Sequence, residues 1–266
     1  MTMDAAALKP YLDPLPLSRW QYHQAAGSTN DLALDWARDG APDRALVVAD
    51  AQTAGRGRGD RRWVTRPGMA LAFSLILRPT AVEAGCVPRF TALAALGLIK
   101  ALEEWGLQGQ VKWPNDVLLR VKKVAGVLVE VDWQDDFPTA LVVGMGVNVM
   151  SDSVPPEDEL RYPATSVEDV RGKEVNRWAL LAETLRAMLA YREILTTPKF
   201  MEAWNAHLAL RGAWVPFRMP DRETERMKVL GVLPDGSLHL ETGDGEQIKA
   251  VSGEIAMAYN ENSKRD

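Results

Sequence analysis

ALVVADAQTAGRGRGDRRWVTRPGMALAFSLILRP, residues Ala45 to Pro79, has an apolar run at each end and a cationic, glycine-rich middle. ALVVAD (Ala45 to Asp50) and MALAFSLILRP (Met69 to Pro79) read as buried strands. Between them Arg56, Arg58, Arg61, Arg62 and Arg66 stand against one acid, Asp60. Gly55, Gly57 and Gly59 raise the backbone entropy of the loop and its guanidinium groups repel one another. Its order must therefore come from a bound polyanion or from packing of its flanks. A loop fixed at both ends by sheet and charged in the middle is a candidate lid, ordered by a ligand.

Upstream of these strands, GSTNDLALDWARDG reads as a helix: Ser28 and Asp31 have the spacing of a capping box, Leu32 and Trp36 share a face, and Gly40 is a stop. The residues before it, to about Tyr22, hold Pro10, Pro14 and Pro16 and predict an extended lead-in. Downstream, apolar residues three and four apart from Val87 to Gly106 predict a long helix with one broad apolar face. Gln110 to Trp133 reads as two strands around a turn at Pro114, Asn115 and Asp116, where side chains can face a ligand. The strand Thr139 to Met150 carries Gly144 and Gly146 two apart, which leaves one face open to a close approach or to tight packing. Helices follow at Asn176 to Leu195 and Lys199 to about Leu210. From Gly212, short alternating runs separated by PDG and TGDG turns predict a small antiparallel β module of about 55 residues.

Composition bounds the function. The chain has 266 residues, 47% apolar and 25% charged, as an ordinary soluble globular protein has. A net charge of -5 gives no general attraction to nucleic acid or anionic membranes, so an anion must be captured locally. A single cysteine, Cys86, excludes an internal disulfide and fits a reducing cytoplasm. No run of about 18 apolar residues marks a membrane span. His23, His207 and His239 have no metal-ligand spacing and read as incidental, so no metal site is expected from protein residues alone.

Four features now stand in a fixed order: STN at a helix start, GRGRGDRRW, KWPND with KVAGVLVE, and GMGVNV. Together, from about residue 25 to the end, they resemble a biotin protein ligase. The resemblance implies an α+β fold: a mixed-sheet catalytic domain like that of class II aminoacyl-tRNA synthetases over 23–210, then an SH3-like all-β domain over 211–266. It implies that biotin and Mg-ATP give biotinyl-5'-adenylate, and that a lysine of a biotin carboxyl carrier domain then takes the biotinyl group.

By the same resemblance, Lys123 contacts the biotin carboxyl and the α-phosphate, and Arg58 helps retain the adenylate. Ser28, Thr29 and Gln52 match positions that hydrogen-bond the ureido ring. Asn30, Gly55, Arg56, Gly57, Gly126 and Gly144 belong to the biotin pocket, while Arg61, Trp63, Lys112, Asn115 and Asn148 fall on the adenylate side. Asp116 is open to three roles: steering Mg, accepting the lysine proton, or holding the turn. Trp63 reads as the apolar anchor of the lid's end. Gly59 and Asp60 depart from the family pattern GRGRxGRxW, which places an acid beside the phosphate-binding arginines and leaves open either weaker adenylate retention or pairing of Asp60 with Arg61 or Arg62.

Two rivals remain. A lipoate ligase or octanoyl transferase has a related fold, but the GRGR loop, KWPND and the C-terminal β module favour biotin. A nucleic-acid-binding repressor needs a reading helix or ribbon, and about 22 residues before the first motif leave no room for one. The expected partners are thus biotin, ATP and a carrier protein, without nucleic acid or membrane, for a monomer or weak homodimer.

Overall fold

The computed structural model describes residues 5–59, 61–160, 162–220 and 222–256. In chain order the elements are α1 (Ala5–Leu12), β1 (Arg19–Ala26), α2 (Thr29–Arg38), β2 (Ala45–Gln52), β3 (Ala70–Leu77), α3 (Ala81–Ala84), α4 (Arg89–Glu103), β4 (Gly109–Lys112), β5 (Asp116–Leu119), β6 (Lys122–Gln134), β7 (Phe137–Asn148), α5 (Val167–Arg171), α6 (Arg177–Glu193) and α7 (Pro198–Ala206). The C-terminal strands are β8 (Trp214–Arg218), β9 (Thr224–Val232), β10 (Leu238–Glu241), β11 (Gln247–Ala250) and β12 (Glu254–Ile255). A seven-stranded sheet runs β1-β2-β3-β7-β6-β5-β4, mixed because β1 lies parallel to β2 while the other pairs are antiparallel. A separate antiparallel sheet, β11-β10-β9-β8-β12, forms the C-terminal unit. This is the α+β core followed by a small β module that the motifs imply.

Strand periodicity gives the large sheet two unlike faces. Leu141, Val143, Met145 and Val147 of β7 join Leu71, Phe73 and Leu75 of β3 in the main core, which also takes in α4 and α6. Ala140 and Val142 point the other way and pack with Ala33 and Ala37 of α2. At about 1.5 Å per residue a ten-residue helix spans only about 15 Å. It therefore covers only part of that face: Asn30 of α2 reaches over Gly144, and Gly146 and Asn148 continue beyond the helix as a trough that Trp63 covers at Gly146.

Four expectations are corrected. Residues 5–22 are not an extended lead-in: α1 buries Leu8 and Leu12 against the core beside α6, and β1 completes the sheet edge. Ser28 is the N-cap of α2 but makes no side-chain cap bond, so no capping box forms. The Gln110 to Trp133 segment holds three strands, because Arg120 and Val121 take φ of 46° and 59° and turn β5 into β6. Helix α4 is buried on nearly every side, since α6 covers the face that sequence alone leaves open.

The C-terminal sheet is fixed to the core through main-chain acceptors. Arg89, at the start of α4, donates to the Pro234 carbonyl at 2.8 and 3.1 Å, and Trp113 Nε1 donates to the Gly236 carbonyl at 3.0 Å. These bonds carry β12 to the arginine loop.

Candidate active site

Cross-strand register aligns one row of residues over the trough: Lys112, Asp116, Gly126, Gly146 and Ala72 are successive partners on β4, β5, β6, β7 and β3. Lys123 joins this face through a bulge. Val117 pairs with Ala125 and Leu118 with Lys123, which leaves Val124 unopposed and turns Lys123 to the side of Gly126 despite their odd spacing. The Lys123 Nζ then lies 2.5 Å from Asp116 Oδ1, with Lys112 Nζ at 3.8 Å from Asp116 Oδ2. Burial pulls Lys112 below the ordinary lysine range against the pull of Asp116, and burial raises the Tyr162 phenol, whose ring Lys112 overlies, to about 12.

At the other end of the trough α2 supplies uncharged polar groups. Gln52 Oε1 accepts from the Thr29 N–H at 2.8 Å and from Thr29 Oγ1 at 3.1 Å, so its amide nitrogen is left to face the cavity. The Ser28 hydroxyl, spared from capping, lines the same cavity. Asn30 is consumed by the fold: its Nδ2 donates to the Leu128 carbonyl and to Glu130, and its Oδ1 accepts from Ser74 at 2.6 Å. It lies so close over Gly144 that a Cβ there would stand 2.0 Å from Oδ1. That is the physical reason for a glycine at this position.

The arginine loop folds back over the trough as a small self-closed turn. Gly57 N donates to the Arg61 carbonyl at 2.7 Å and Trp63 N to the Gly55 carbonyl at 2.9 Å. Trp63 lays its indole on Gly126 and Gly146, 5.7 Å from Lys123 Nζ. Its Nε1 is buried without an acceptor among the described residues, an unmet donor inside the site. Of the two sources of order open to the loop, packing of its flanks is present.

Among the described residues, three of the loop's five arginines meet a protein counterpart. Arg56 binds Asp31 at 2.5 Å and Glu130 at 2.8 Å, Arg58 donates to the Gly253 carbonyl at 3.2 Å, and Arg61 meets Glu254 at 2.7 Å. Burial tends to raise the Glu254 carboxyl, but Arg61, Lys112 and Arg218 outweigh it and hold it below the usual carboxylate range. Gly59 has φ of 67°, a left-handed backbone suited to glycine, whereas Asp60 lies outside the described residues.

Two cavities result. One of about 100 Å³ is lined by Ser28, Thr29, Asn30, Gln52, Arg56, Gly57, Trp63, Gly126 and Gly144, with Lys123 at its wall. The other, about 310 Å³, is lined by Lys112, Asp116, Arg218 and Glu254. Arg58, Arg61 and Asn115 border both. The first is tighter than typical ligand pockets of about 300–1,000 Å³, because Trp63 and the loop occupy it. Gly55 closes the loop's neck against the Trp63 carbonyl, and Asn148 turns its amide to the Thr165 carbonyl, so neither lines these cavities. Sequence reasoning missed the roles of Glu130, Glu254 and Arg218: Glu130 closes the KVAGVLVE motif but had no role assigned, Arg218 and Glu254 stand in no motif, and Glu254 lies 193 residues from Arg61. Among the described residues no cluster of three His, Cys, Asp or Glu could hold a metal, and no helix is long and apolar enough to cross a membrane.

Residues 23–148 match the model of the biotin/lipoate A/B protein ligase family. The bifunctional ligase/repressor BirA of Bacillus subtilis is 35% identical over 89% of this chain and 73% of its own length. A biotin--[acetyl-CoA-carboxylase] ligase of Paracoccus denitrificans is 34% identical, covering 83% of this chain and 93% of that protein. The biotin protein ligase of Aquifex aeolicus, solved in complex with biotin and ATP, superposes with a TM-score of 0.75 at 28% identity, over 90% of this chain and 98% of the other. With the motifs, the trough and these likenesses in agreement, the chain belongs to the biotin protein ligase family.

Proposed function

We propose that the protein activates biotin with Mg-ATP to biotinyl-5'-adenylate, releasing pyrophosphate, and passes the biotinyl group to a lysine of a carboxyl carrier protein. The observation that carries this is the junction at Lys123: a pocket with Ser28, Thr29 and Gln52 on its wall meets a cavity lined by Lys112 and Arg218, and Arg58 and Arg61 border both. A ring with one C=O and two N–H groups suits Ser28, Thr29 and the Gln52 amide, and phosphate suits the cations. In the first step the biotin carboxylate attacks the α-phosphorus and the bond to pyrophosphate breaks. Two anions must approach, and Lys123 stands where their oxygens would meet.

In the second step the carrier amine attacks the acyl carbon and AMP leaves. For Asp116 the ion pairs favour a holding role, because its carboxylate already engages Lys123 and Lys112. We assign the biotin side to residues of the first cavity and the phosphate side to those of the second, with Asn115 between. Gly55 supports the loop's neck and Asn148 the end of the trough. The unmet Trp63 Nε1 donor offers a further hydrogen bond to the ligand.

The test is mass spectrometry of a carrier-domain fragment incubated with the protein, Mg-ATP and either biotin or lipoate. A biotinyl adduct on one lysine is expected. A lipoyl adduct alone, or no adduct, overturns the reading.

A further inference from the structure

Glu130 closes the KVAGVLVE motif without a role assigned to it, and it joins two parts of the site. From β6 its Oε2 accepts from Asn30 Nδ2 at 2.7 Å and from Arg56 Nη2 at 2.8 Å. Asn30 is wedged over Gly144 and hydrogen-bonded to Ser74, whose hydroxyl also lies 2.8 Å from Thr29 Oγ1. Arg56 is the first arginine of the loop, and its guanidinium is shared with Asp31 of α2. One carboxylate thus ties the base of the loop to the polar floor that receives the ligand.

The loop arginines therefore divide by geometry. Arg56 is held between two carboxylates, which together overcompensate its charge and make it a poor phosphate ligand. Arg58 and Arg61 border the cationic cavity, each with one partner on the C-terminal unit. We infer that Glu130 is a positioning residue for biotin binding: through Arg56 it fixes the hinge of the arginine loop over the pocket, while Arg58 and Arg61 remain exchangeable. The inference rests on the ligase reading and gives a role to a residue that this reading leaves without one.

Glu130→Gln is close in shape, and its carbonyl can still accept from Asn30, but it removes the charge that faces Arg56. With the full chain in biotin-dependent ATP/pyrophosphate exchange, KM for biotin should rise about tenfold while kcat stays within about twofold, the pattern for lost binding that is uniform between ground and transition states. Raising salt from 0.15 to 1 M shortens the screening length from about 8 to about 3 Å, so the wild-type KM should climb toward that of the variant. Trypsin should cut the unliganded loop about tenfold faster in Glu130→Gln, because opening of the hinge exposes it. Arg56→Ala should reproduce these effects, and the double variant should be no worse than Arg56→Ala alone.

A wild-type KM in Glu130→Gln, multiplying effects in the double variant, or a lower melting temperature with unchanged KM and cleavage would each overturn the role of Glu130 and leave the ligase reading in place. Absence of exchange in the wild type would instead remove the ligase reading, and the trypsin comparison, which needs no ligand, would still decide the hinge.

Discussion

Gly144→Ala tests whether the trough is built as described. An added Cβ would stand 2.0 Å from Asn30 Oδ1 and 2.8 Å from Asn30 Cγ, well inside van der Waals contact, so the amide must withdraw by more than about 1 Å. It has nowhere to go without breaking bonds: Ser74 at 2.6 Å, Glu130 at 2.7 Å and the Leu128 carbonyl at 3.2 Å hold it, and its residue is only 4% exposed. Losing two such bonds, with buried groups left unmet, costs about 2–4 kcal/mol. For a chain of this length that lowers Tm by about 4–8 °C. Thr29 and Ser28 precede Asn30 on the same turn, so KM for biotin should rise at least about tenfold. The check is thermal unfolding together with exchange kinetics, in Gly144→Ala, Asn30→Ala and the double variant. If the clash is the cause, the double variant is about as stable as Asn30→Ala. Wild-type stability and KM in Gly144→Ala, or strictly additive losses in the double variant, would refute the reasoning.

Four further outcomes are expected. Lys123→Ala should cut biotin-dependent exchange by about a hundredfold to a thousandfold, equivalent to about 3–4 kcal/mol of transition-state stabilisation, in a protein that still melts cooperatively; near-normal exchange would remove Lys123 from the chemistry. Arg58→Gly loses the contact to the Gly253 carbonyl and should release adenylate that labels lysines of an added bystander protein, so unchanged selectivity by mass spectrometry counts against a retention role. Lys112 is pulled below the ordinary value of 10.5 by burial, so exchange should decline on the alkaline side before an ordinary lysine titrates, and Lys112→Arg should move that limb upward; an unmoved limb would exclude Lys112. Glu83→Gln removes one of the two carboxylates paired with buried Arg192, leaving Asp43 at 2.8 Å, and should cost about 1.5 kcal/mol at pH 7. Burial raises the Glu83 carboxyl, but Arg192 and Thr80 bring it below 4.5. The stabilisation is therefore complete above about 4.5 and lost as pH falls through the folded value, and an equal Tm gap at acid pH would contradict it.

What the sequence reveals of this protein depends on whether the determining contact is local. The face of β7 was legible because alternation is intrinsic to a strand and two glycines on one parity leave a gap. The loop was legible because its charge contrasts with the chain's. Helix α1 was hidden by Pro10, Pro14 and Pro16, which signal extended chain, although Leu8 and Leu12 bury on tertiary contact. The β5–β6 turn was hidden because Arg120 and Val121 adopt positive φ without a glycine to announce it. Ser28 and Asp31 have capping-box spacing, yet Asp31 serves Arg56 instead, and nothing near either residue in sequence discloses that. Charges were legible one at a time, but their pairing was not.

That pairing explains how a chain of net charge -5 can capture phosphate. Its arginines fall into two groups by burial. Arg177 with Asp50 and Arg192 with Glu83 have side chains no more than 10% exposed, and their mutual attraction is little screened, so they are fixtures of the frame. Arg61 and its partner Glu254 are 42% and 35% exposed, where an ion pair is worth only about 0–1 kcal/mol. A charge-assisted bond to phosphate is worth about 1.5–3 kcal/mol in a site that closes away from water. Exchange of Glu254 for phosphate at Arg61 is therefore favourable, and the carboxylate keeps the guanidinium in place until the phosphate arrives. The same exchange at Arg56 would have to displace two carboxylates, one of which also holds Asn30. The loop can thus release its grip at one end and keep its hinge at the other.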